Sequence, residues 1–461
     1  MVPSVVSLLA SHTEMAAQLS GAPQVAAVVV DANGEIIAEF TTGEATVDSL
    51  FRIASMTKSF SAALVLLLRD EGVVNLDLPI STYAAEFETV IGLGPSPTPI
   101  TLRHLLSMDS GLATDDPWAD RHLDATDADL DGWVGAGLRF AHPTGTAFEY
   151  SNLGWALIGR VVHRVTGRRL QDLVTERLAK PLGMNSTMWV SADLSAESSV
   201  VAGWHRVNSQ LVPEVPLGDG VIAPMGGLWS TARDLATWVG FLSNAFGASP
   251  ANHPLSAASR REMQQIHRSY PGRSITGAEG RARAVHGGYG FGLNVNHHDR
   301  TGWVVWHSGG LPGYGSTMRW IPGGGGVVML ANVTYAPVTA VGLDLIDALV
   351  HQGCLANRVV SANEALQHVA REFAQLLQSW TDTCADDLFA DNVFRDRPRP
   401  IRKEDVVARV GASGNVRLLG VEAISATTGV ALLLVENVVH RLELQLAPIG
   451  PPKVQAYRWL T

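Results

Sequence analysis

Residues 51–58 read Phe51-Arg52-Ile53-Ala54-Ser55-Met56-Thr57-Lys58 and stand at the head of a predicted helix that runs from about Ser55 to Glu71. Gly72 follows at a position where glycine commonly ends a helix. Residues three apart share one helix face, so we expect the Lys58 amine beside the Ser55 hydroxyl. A serine becomes a nucleophile when a base takes its proton, and lysine is such a base once burial or a neighbouring cation lowers its pKa. The positive end of the helix would favour the negative charge that develops there.

Lysine is rare in this chain, and this makes the Ser55–Lys58 pair a more specific signal than the three-residue spacing alone would be. Only Lys58, Lys180, Lys403 and Lys453 occur, and only the first has a serine three residues before it. On this motif alone an alternative stays open, in which a solvated lysine follows a serine that caps the helix.

A second motif, Tyr150-Ser151-Asn152, follows a loop that contains His142-Pro143-Thr144-Gly145. A tyrosine phenol relays a proton if nearby cations lower its pKa. The amide of Asn152 offers a donor to a substrate carbonyl and an acceptor to a lysine. Of the 7 tyrosines, Tyr150 alone has an asparagine two residues later. Taken alone, the motif also fits a buried aromatic residue beside a helix cap.

A third motif, His307-Ser308-Gly309-Gly310, ends an apolar strand that begins at Trp303. Glycines at this place let a substrate approach the backbone closely, and the Gly310 N–H is a candidate oxyanion donor. His307 is a candidate for binding a substrate carboxylate or for tuning Tyr150.

The pattern of apolar runs predicts an α+β fold with helices between two groups of strands. A β-hairpin is predicted at 25–40, around the turn Asn33-Gly34. Late strands are expected to rejoin it in one antiparallel sheet, and they are predicted at Tyr289–Val295, Trp303–His307, Ser316–Ile321 and Gly326–Ala331. Intervening helices are predicted at Thr101–Met108, Asn152–Thr166 and Thr231–Leu242.

The order Ser-x-x-Lys, Tyr-x-Asn, then a basic residue, a small residue and glycine resembles the penicillin-recognising serine hydrolases of the S12 peptidase type. These include class C β-lactamases, D-Ala-D-Ala carboxypeptidases, D-aminopeptidases, and related esterases and transacylases. The resemblance covers roughly residues 15 to 350, and its supporting segments are 51–55, Asn75–Ile80, Ile100–Ser107, Gly226–Ser230 and His307–Gly313. It implies a β-lactamase/penicillin-binding-protein-like antiparallel sheet sandwiched by helices, with a helical subdomain.

The resemblance also implies roles for individual residues. Ser55 would be the acylated nucleophile, Lys58 its partner and Tyr150 the general base. The oxyanion hole would consist of the N–H groups of Ser55 and Gly310. The predicted substrate-binding residues are Asn152, His307, Ser308, Gly309, Gly310 and Trp118, the last as a wall within the acidic stretch 115–121. No cofactor and no metal is predicted, and His297-His298-Asp299 is interpreted as a solvated turn.

One departure from the family pattern affects the expected substrate. Many β-lactamases and carboxypeptidases have lysine where this chain has His307, and histidine is charged only part of the time near neutral pH. We therefore expect weak β-lactamase activity and a small ester, amide or D-aminoacyl substrate. An acyl transferase or peptide cyclase, and a non-catalytic protein that traps an acyl group as a signal, stay open as alternatives.

Composition sets the remaining expectations. The length of 461 residues predicts two domains, a β-lactamase-like domain at 1–355 and an α+β accessory domain at 356–461 that weakly resembles NTF2-like proteins.

A net charge of −10 argues against nucleic acid as a partner, so we expect a small-molecule or short-peptide substrate. The N-terminus shows no signal-peptide pattern and no apolar run is long enough to span a bilayer, which predicts a cytoplasmic protein without membrane contact. The oligomeric state is not predicted.

Overall fold

The computed structural model describes residues 4–95, 97–189, 199–215, 217–247, 253–355, 362–410 and 415–460. The chain divides into two compact units, Met1–Asn357 and Arg358–Thr461. All the candidate site residues lie in the first unit.

The first unit combines one large sheet with helices before, between and after its strands. The helices are α1 (Val5–Ser20), α2 (Thr57–Asp70), α3 (Leu102–Leu106), α4 (Asp116–Ala119), α5 (Asp127–Ala136), α6 (Leu153–Thr166), α7 (Leu170–Val174), α8 (Ala232–Ser243), α9 (Ala257–Met263) and α10 (Val338–His351). The strands are β1 (Val25–Val30), β2 (Ile36–Thr42), β3 (Phe51–Arg52), β4 (Trp204–Val207), β5 (Gln210–Pro213), β6 (Trp229–Ser230), β7 (Arg268–Thr276), β8 (Ala282–Tyr289), β9 (Asn294–His298), β10 (Gly302–Leu311), β11 (Tyr314–Trp320) and β12 (Gly326–Ala331).

The large sheet is antiparallel and has the order β2-β1-β12-β11-β10-β9-β8-β7. The last strand of the chain's first unit, β12, pairs directly with β1, with Val28 opposite Val328. This pairing confirms the prediction that the late strands rejoin the first hairpin in a single sheet.

Both faces of the sheet's centre are buried: β1 and β12 are apolar along their whole length rather than at alternate positions, and the neighbouring β11 is buried along its whole length. Residues Ala26, Val28 and Val30 of β1 belong to one core, which they share with α2 and α8. The alternating residues Val25, Ala27 and Val29 belong to a second core, with α1 and α10. The sheet is therefore sandwiched between two helical layers, as the resemblance implied.

Most predicted elements of this unit are confirmed, including the helix caps. The side chain of Thr101 accepts a hydrogen bond from the His104 N–H at the start of α3, and Thr231 does the same for Asp234 at α8. The predicted strand Tyr289–Val295 is wrong, because it crosses the turn between β8 and β9. The predicted solvated turn is also wrong for His298, which is fully buried at the end of β9.

The second unit has its own hydrophobic core. Its elements are α11 (Glu364–Gln378), α12 (Asp382–Leu388), α13 (Asn392–Asp396), α14 (Arg399–Val410), β13 (Val416–Ala423), β14 (Thr428–Val435), β15 (Val438–Leu446) and β16 (Val454–Leu460). The strands form an antiparallel meander in sequence order, and apolar residues such as Phe373 and Leu442 fill the space between helices and sheet. The NTF2-like resemblance stays a prediction. In the described part of the chain, no helix has the length and apolar character needed to cross a bilayer.

Candidate active site

Ser55 lies in a short 3₁₀ turn, Ala54–Met56, between β3 and the start of α2. The strand β3, which pairs with β6, precedes the turn, and α2 follows it directly. Ala54 has φ of +50°, a left-handed conformation that is uncommon for residues with a side chain and is often retained at functional sites. Ser55 in this sharp turn is 9% exposed, so it is nearly buried but still in contact with solvent.

Lys58 is fully buried, and three oxygen atoms surround its amine. The Nζ atom lies 3.0 Å from Ser55 Oγ, 2.7 Å from Asn152 Oδ1 and 2.9 Å from the Met225 carbonyl oxygen. The last two atoms accept hydrogen bonds and cannot donate them. Two N–H bonds of the amine therefore donate to these two oxygens. The remaining position on the nitrogen points to Ser55, and it carries a proton when Lys58 is charged and a lone pair when Lys58 is neutral.

The pKa of Lys58 is lowered to about 8, mainly because burial disfavours the ammonium ion. The negative charges of Asp116, Asp120 and Asp115 oppose this effect. At a pH slightly above 7, an appreciable fraction of the Lys58 side chains is thus uncharged. An uncharged amine is the form in which a lysine acts as a base.

Tyr150 lies close enough to Ser55 for the two side chains to interact, and its ring lies against the Lys58 amine, 4.9 Å from Nζ to the ring centroid. Its pKa is raised well above the ordinary tyrosine value by burial and by the nearby Asp116. The condition for a proton relay, a pKa lowered by nearby cations, is therefore not met in the resting site, and the role of Tyr150 as general base stays a prediction. Tyr150 rests as a phenol, a form that donates a proton rather than accepting one.

Asn152 is buried and its amide is engaged at both ends. The Oδ1 atom accepts from Lys58 at 2.7 Å, and Nδ2 donates to Asp116 Oδ1 at 2.5 Å. Asp115 accepts from the backbone N–H groups of Asn152 and Leu153 at 2.7 and 2.8 Å, so it caps the start of α6. In this structure Asn152 holds Lys58 in place, and its predicted contact with a substrate amide stays a prediction.

His307 is buried on β10, and its hydrogen bonds define its tautomer. Its Nδ1 lies 2.6 Å from the Ser308 carbonyl oxygen, which only accepts, so Nδ1 carries the proton. Its Nε2 lies 2.9 Å from the Tyr289 hydroxyl and accepts from it. Burial and the nearby Lys58 lower the pKa of His307 to about 3. His307 is therefore neutral at physiological pH and supplies no positive charge for a substrate carboxylate.

Glycines let β10 pack directly against the turn that carries Ser55. A Cβ atom on Gly309 would lie 2.6 Å from the Cβ of Ala54, so no side chain fits there. Ser316 on β11 reinforces the contact by donating to the Ile53 carbonyl at 2.7 Å. The pairing of β9 with β10 ends at Trp306, so the residues that follow lie beyond the end of β9. These contacts bring Ser308–Gly310 beside Ser55.

These residues border a cleft of about 540 Å³. Its lining includes the predicted residues Ser55, Tyr150, His307, Ser308, Gly309 and Gly310, with Asp116, Pro117, Asp120, Phe148, Arg273, Asn294, Trp306, Tyr335, Ala336 and Thr339. Trp118 is absent from that lining, and its ring instead stacks on His122 at 4.6 Å and meets Trp133 edge-on at 4.7 Å. Its predicted contact with substrate stays a prediction.

Several residues of the site were not identified from the sequence. Met225 acts through its backbone carbonyl, which any residue type supplies, and Tyr289 acts as the partner of His307. Asp120, whose pKa burial raises to about 6, accepts a hydrogen bond from Tyr335. Asp120 lay inside the acidic stretch already noted, whereas Tyr335 had no sequence signal. Among the described residues, no cluster of three or more potential ligands suits a metal ion.

A sandwiched antiparallel sheet with a serine–lysine pair at the head of α2 defines the β-lactamase and penicillin-binding-protein class of fold. The chain belongs to the beta-lactamase family, whose family model matches residues 13–352. It is 28% identical over 338 residues to the Unguisins hydrolase ungD' of Aspergillus campestris, an alignment that covers 68% of this chain and 59% of the relative. The chain thus spans about three fifths of the length of that relative.

Two solved structures show the same fold. The octameric penicillin-binding protein homologue from Pyrococcus abyssi superposes with a TM-score of 0.62 at 19% identity and covers 98% of both chains. The D-stereospecific amidohydrolase from Streptomyces has a TM-score of 0.54 at 22% identity and covers 72% of this chain and 97% of its own.

Proposed function

We propose that this protein is a serine hydrolase that works through an acyl-enzyme on Ser55. The observation that carries the proposal is the Lys58 amine, held by two carbonyl oxygens with its remaining direction towards Ser55 Oγ at 3.0 Å. A buried amine with a pKa of about 8 is suited to take the serine proton near neutral pH. Lysines with a lowered pKa are concentrated at functional sites.

Acylation then proceeds in two steps. Ser55 Oγ forms a bond to the substrate carbonyl carbon, and its proton passes to the neutral Lys58 amine. The carbonyl oxygen becomes an oxyanion that accepts hydrogen bonds from the N–H groups of Ser55 and Gly310. As the bond to the leaving group breaks, the Tyr150 phenol donates its proton to that group, and the proton held by Lys58 restores the phenol. Water repeats the sequence in reverse and releases the acid.

The charges of the site support small ester, amide or D-aminoacyl substrates rather than β-lactams. His307 is neutral where a fixed positive charge would bind the β-lactam carboxylate, because its pKa is about 3. Asp116 and Asp120 place negative charge along the same cleft. A similar protein carries the name of an unguisins hydrolase and a structural neighbour that of a D-stereospecific amidohydrolase, and both names denote hydrolysis.

The experiment compares the protein with its Ser55→Ala and Lys58→Arg variants on a chromogenic short-chain ester, a D-aminoacyl anilide and a chromogenic cephalosporin. Both variants should lose turnover, since arginine stays protonated and cannot act as the base. The ester or the anilide should be preferred to the cephalosporin. Product analysis with an added amine acceptor separates hydrolysis from acyl transfer, and a stable acyl adduct without turnover would support a sensor instead.

A further inference from the structure

Tyr335 occupies an unusual position between β12 and α10. Its side chain is 54% exposed although it is a large aromatic residue, and its φ of +51° is left-handed. Its ring lies directly against Gly310, so that a side chain on Gly310 would collide with the tyrosine ring. The tyrosine ring therefore covers the backbone segment that carries the proposed oxyanion donor.

The hydroxyl end of Tyr335 reaches the opposite wall of the cleft. It donates a hydrogen bond of 2.6 Å to Asp120 Oδ2, just after α4. Asp120 is only 3% exposed, and both residues line the cleft that contains Ser55. A single side chain thus links the sheet side of the cleft to its helical side.

Both attachment points of this link are held firmly. The Tyr335 N–H donates to the Tyr314 carbonyl at 3.2 Å, and Ala336 packs so closely on Gly315 that no side chain would fit between them. On the other wall, Trp118 of α4 stacks on His122 and meets Trp133. The exposed side chain of Tyr335 spans the cleft between these two anchored walls.

We propose that Tyr335 and Asp120 form a strap across the cleft and determine how large an acyl donor reaches Ser55. The inference rests on the proposed acyl-enzyme function and assigns to this pair the size selection at that site. Tyr335 is the specificity-determining residue, and Asp120 is a positioning residue that acts through the tyrosine hydroxyl.

The experiment measures kcat and KM for two series of esters. The first series consists of p-nitrophenyl esters with acyl groups from acetyl to decanoyl, and the second consists of alkyl-phenol esters with leaving groups of increasing size. Tyr335→Ala should raise the ratio of kcat/KM for the largest to the smallest member of at least one series by about tenfold, mainly through KM. Tyr335→Phe keeps the ring but loses the hydrogen bond, and should raise that ratio by about threefold. Tyr83→Phe is the matched control, because its hydroxyl bonds only to the Asn75 backbone away from the cleft.

Asp120→Ala should raise the kcat/KM ratio as much as Tyr335→Phe does. The double variant should differ from Tyr335→Phe alone by less than about twofold, because both changes remove the same hydrogen bond. If Asp120→Ala fails to fold, the two Tyr335 variants still decide the question. A ratio within about twofold of wild type in Tyr335→Ala, with unchanged thermal unfolding, would overturn the strap. Ester turnover that Ser55→Ala retains in full would instead overturn the proposed function.

Discussion

The amine of Lys58 lies 3.0 Å from the hydroxyl of Ser55, and the carbonyl oxygens of Asn152 and Met225 fix its other two hydrogen-bonding directions. This geometry gives the two residues a single mutual orientation. Because Lys58 is buried, its charged form is disfavoured and its pKa is lowered to about 8, which favours the proposed proton transfer near neutral pH.

The first prediction concerns the pH dependence of acylation. In the proposed mechanism only neutral Lys58 accepts the serine proton, so kcat/KM should rise with pH and level off above the lysine pKa of about 8. Below that value it should fall about tenfold per pH unit. The measurement is the pH profile of kcat/KM for an uncharged ester. A profile that is flat from pH 6 to 9 would contradict the assignment of Lys58 as the base.

The second prediction concerns Asp116, whose negative charge raises the pKa of Lys58. Asp116→Asn keeps an acceptor for the Asn152 amide but removes the charge, so the acid limb of the profile should move to lower pH by about half a unit. Asp48→Asn serves as the control, because that carboxylate pairs with Arg233 on the surface. A shift to higher pH, or an equal shift in the control, would show that Asp116 does not act on Lys58.

The third prediction tests the close packing of β10 on the turn that carries Ser55. Gly309→Ala would place a methyl group against Ala54 and the Ile53 carbonyl, and should lower kcat/KM by about a hundredfold through displacement of the oxyanion site. Gly135→Ala on α5 meets no atom within 4 Å and should leave kinetics unchanged. Equal activity of the two variants would mean that β10 and Ser55 are not tightly coupled.

The fourth prediction concerns the stability of the first unit. Arg283 on β8 is buried and pairs with Asp347 and Asp344 of α10. Asp347→Ala leaves this cation partly unpaired and should lower the free energy of unfolding by about 3 kcal/mol in denaturant titration. Asp48→Ala removes an exposed ion pair and should cost less than about 1 kcal/mol. A loss below 1 kcal/mol for Asp347→Ala would contradict this account of the buried pair.

The sequence predicts those features that depend on local pattern. The hairpin, the capped helices and the fully apolar β12 follow from turn residues and periodicity, which are properties of neighbouring residues. The strand misassigned at Tyr289–Val295 has glycines at 290 and 292, where the chain turns between β8 and β9. Apolar residues continue through that turn, so the pattern alone did not mark it.

The site was predictable only where its residues form short motifs. Ser55, Lys58, Tyr150 and His307 stand in recognisable spacings, and the structure brings them together. Their electrostatics were not predictable, since the high pKa of Tyr150 and the low pKa of His307 arise from burial by distant segments. Tyr335 shows the same limit, because its partner Asp120 lies 215 residues away in the chain.

The most direct test of the acyl-enzyme is intact-mass analysis of the protein and its Ser55→Ala variant, each mixed with a p-nitrophenyl ester and quenched within the first turnovers. The account predicts a mass increase equal to the acyl group on the wild type, located on the peptide that contains Ser55, and no adduct on the variant. An adduct of equal yield on the variant, or ester turnover that Ser55→Ala retains in full, would contradict it.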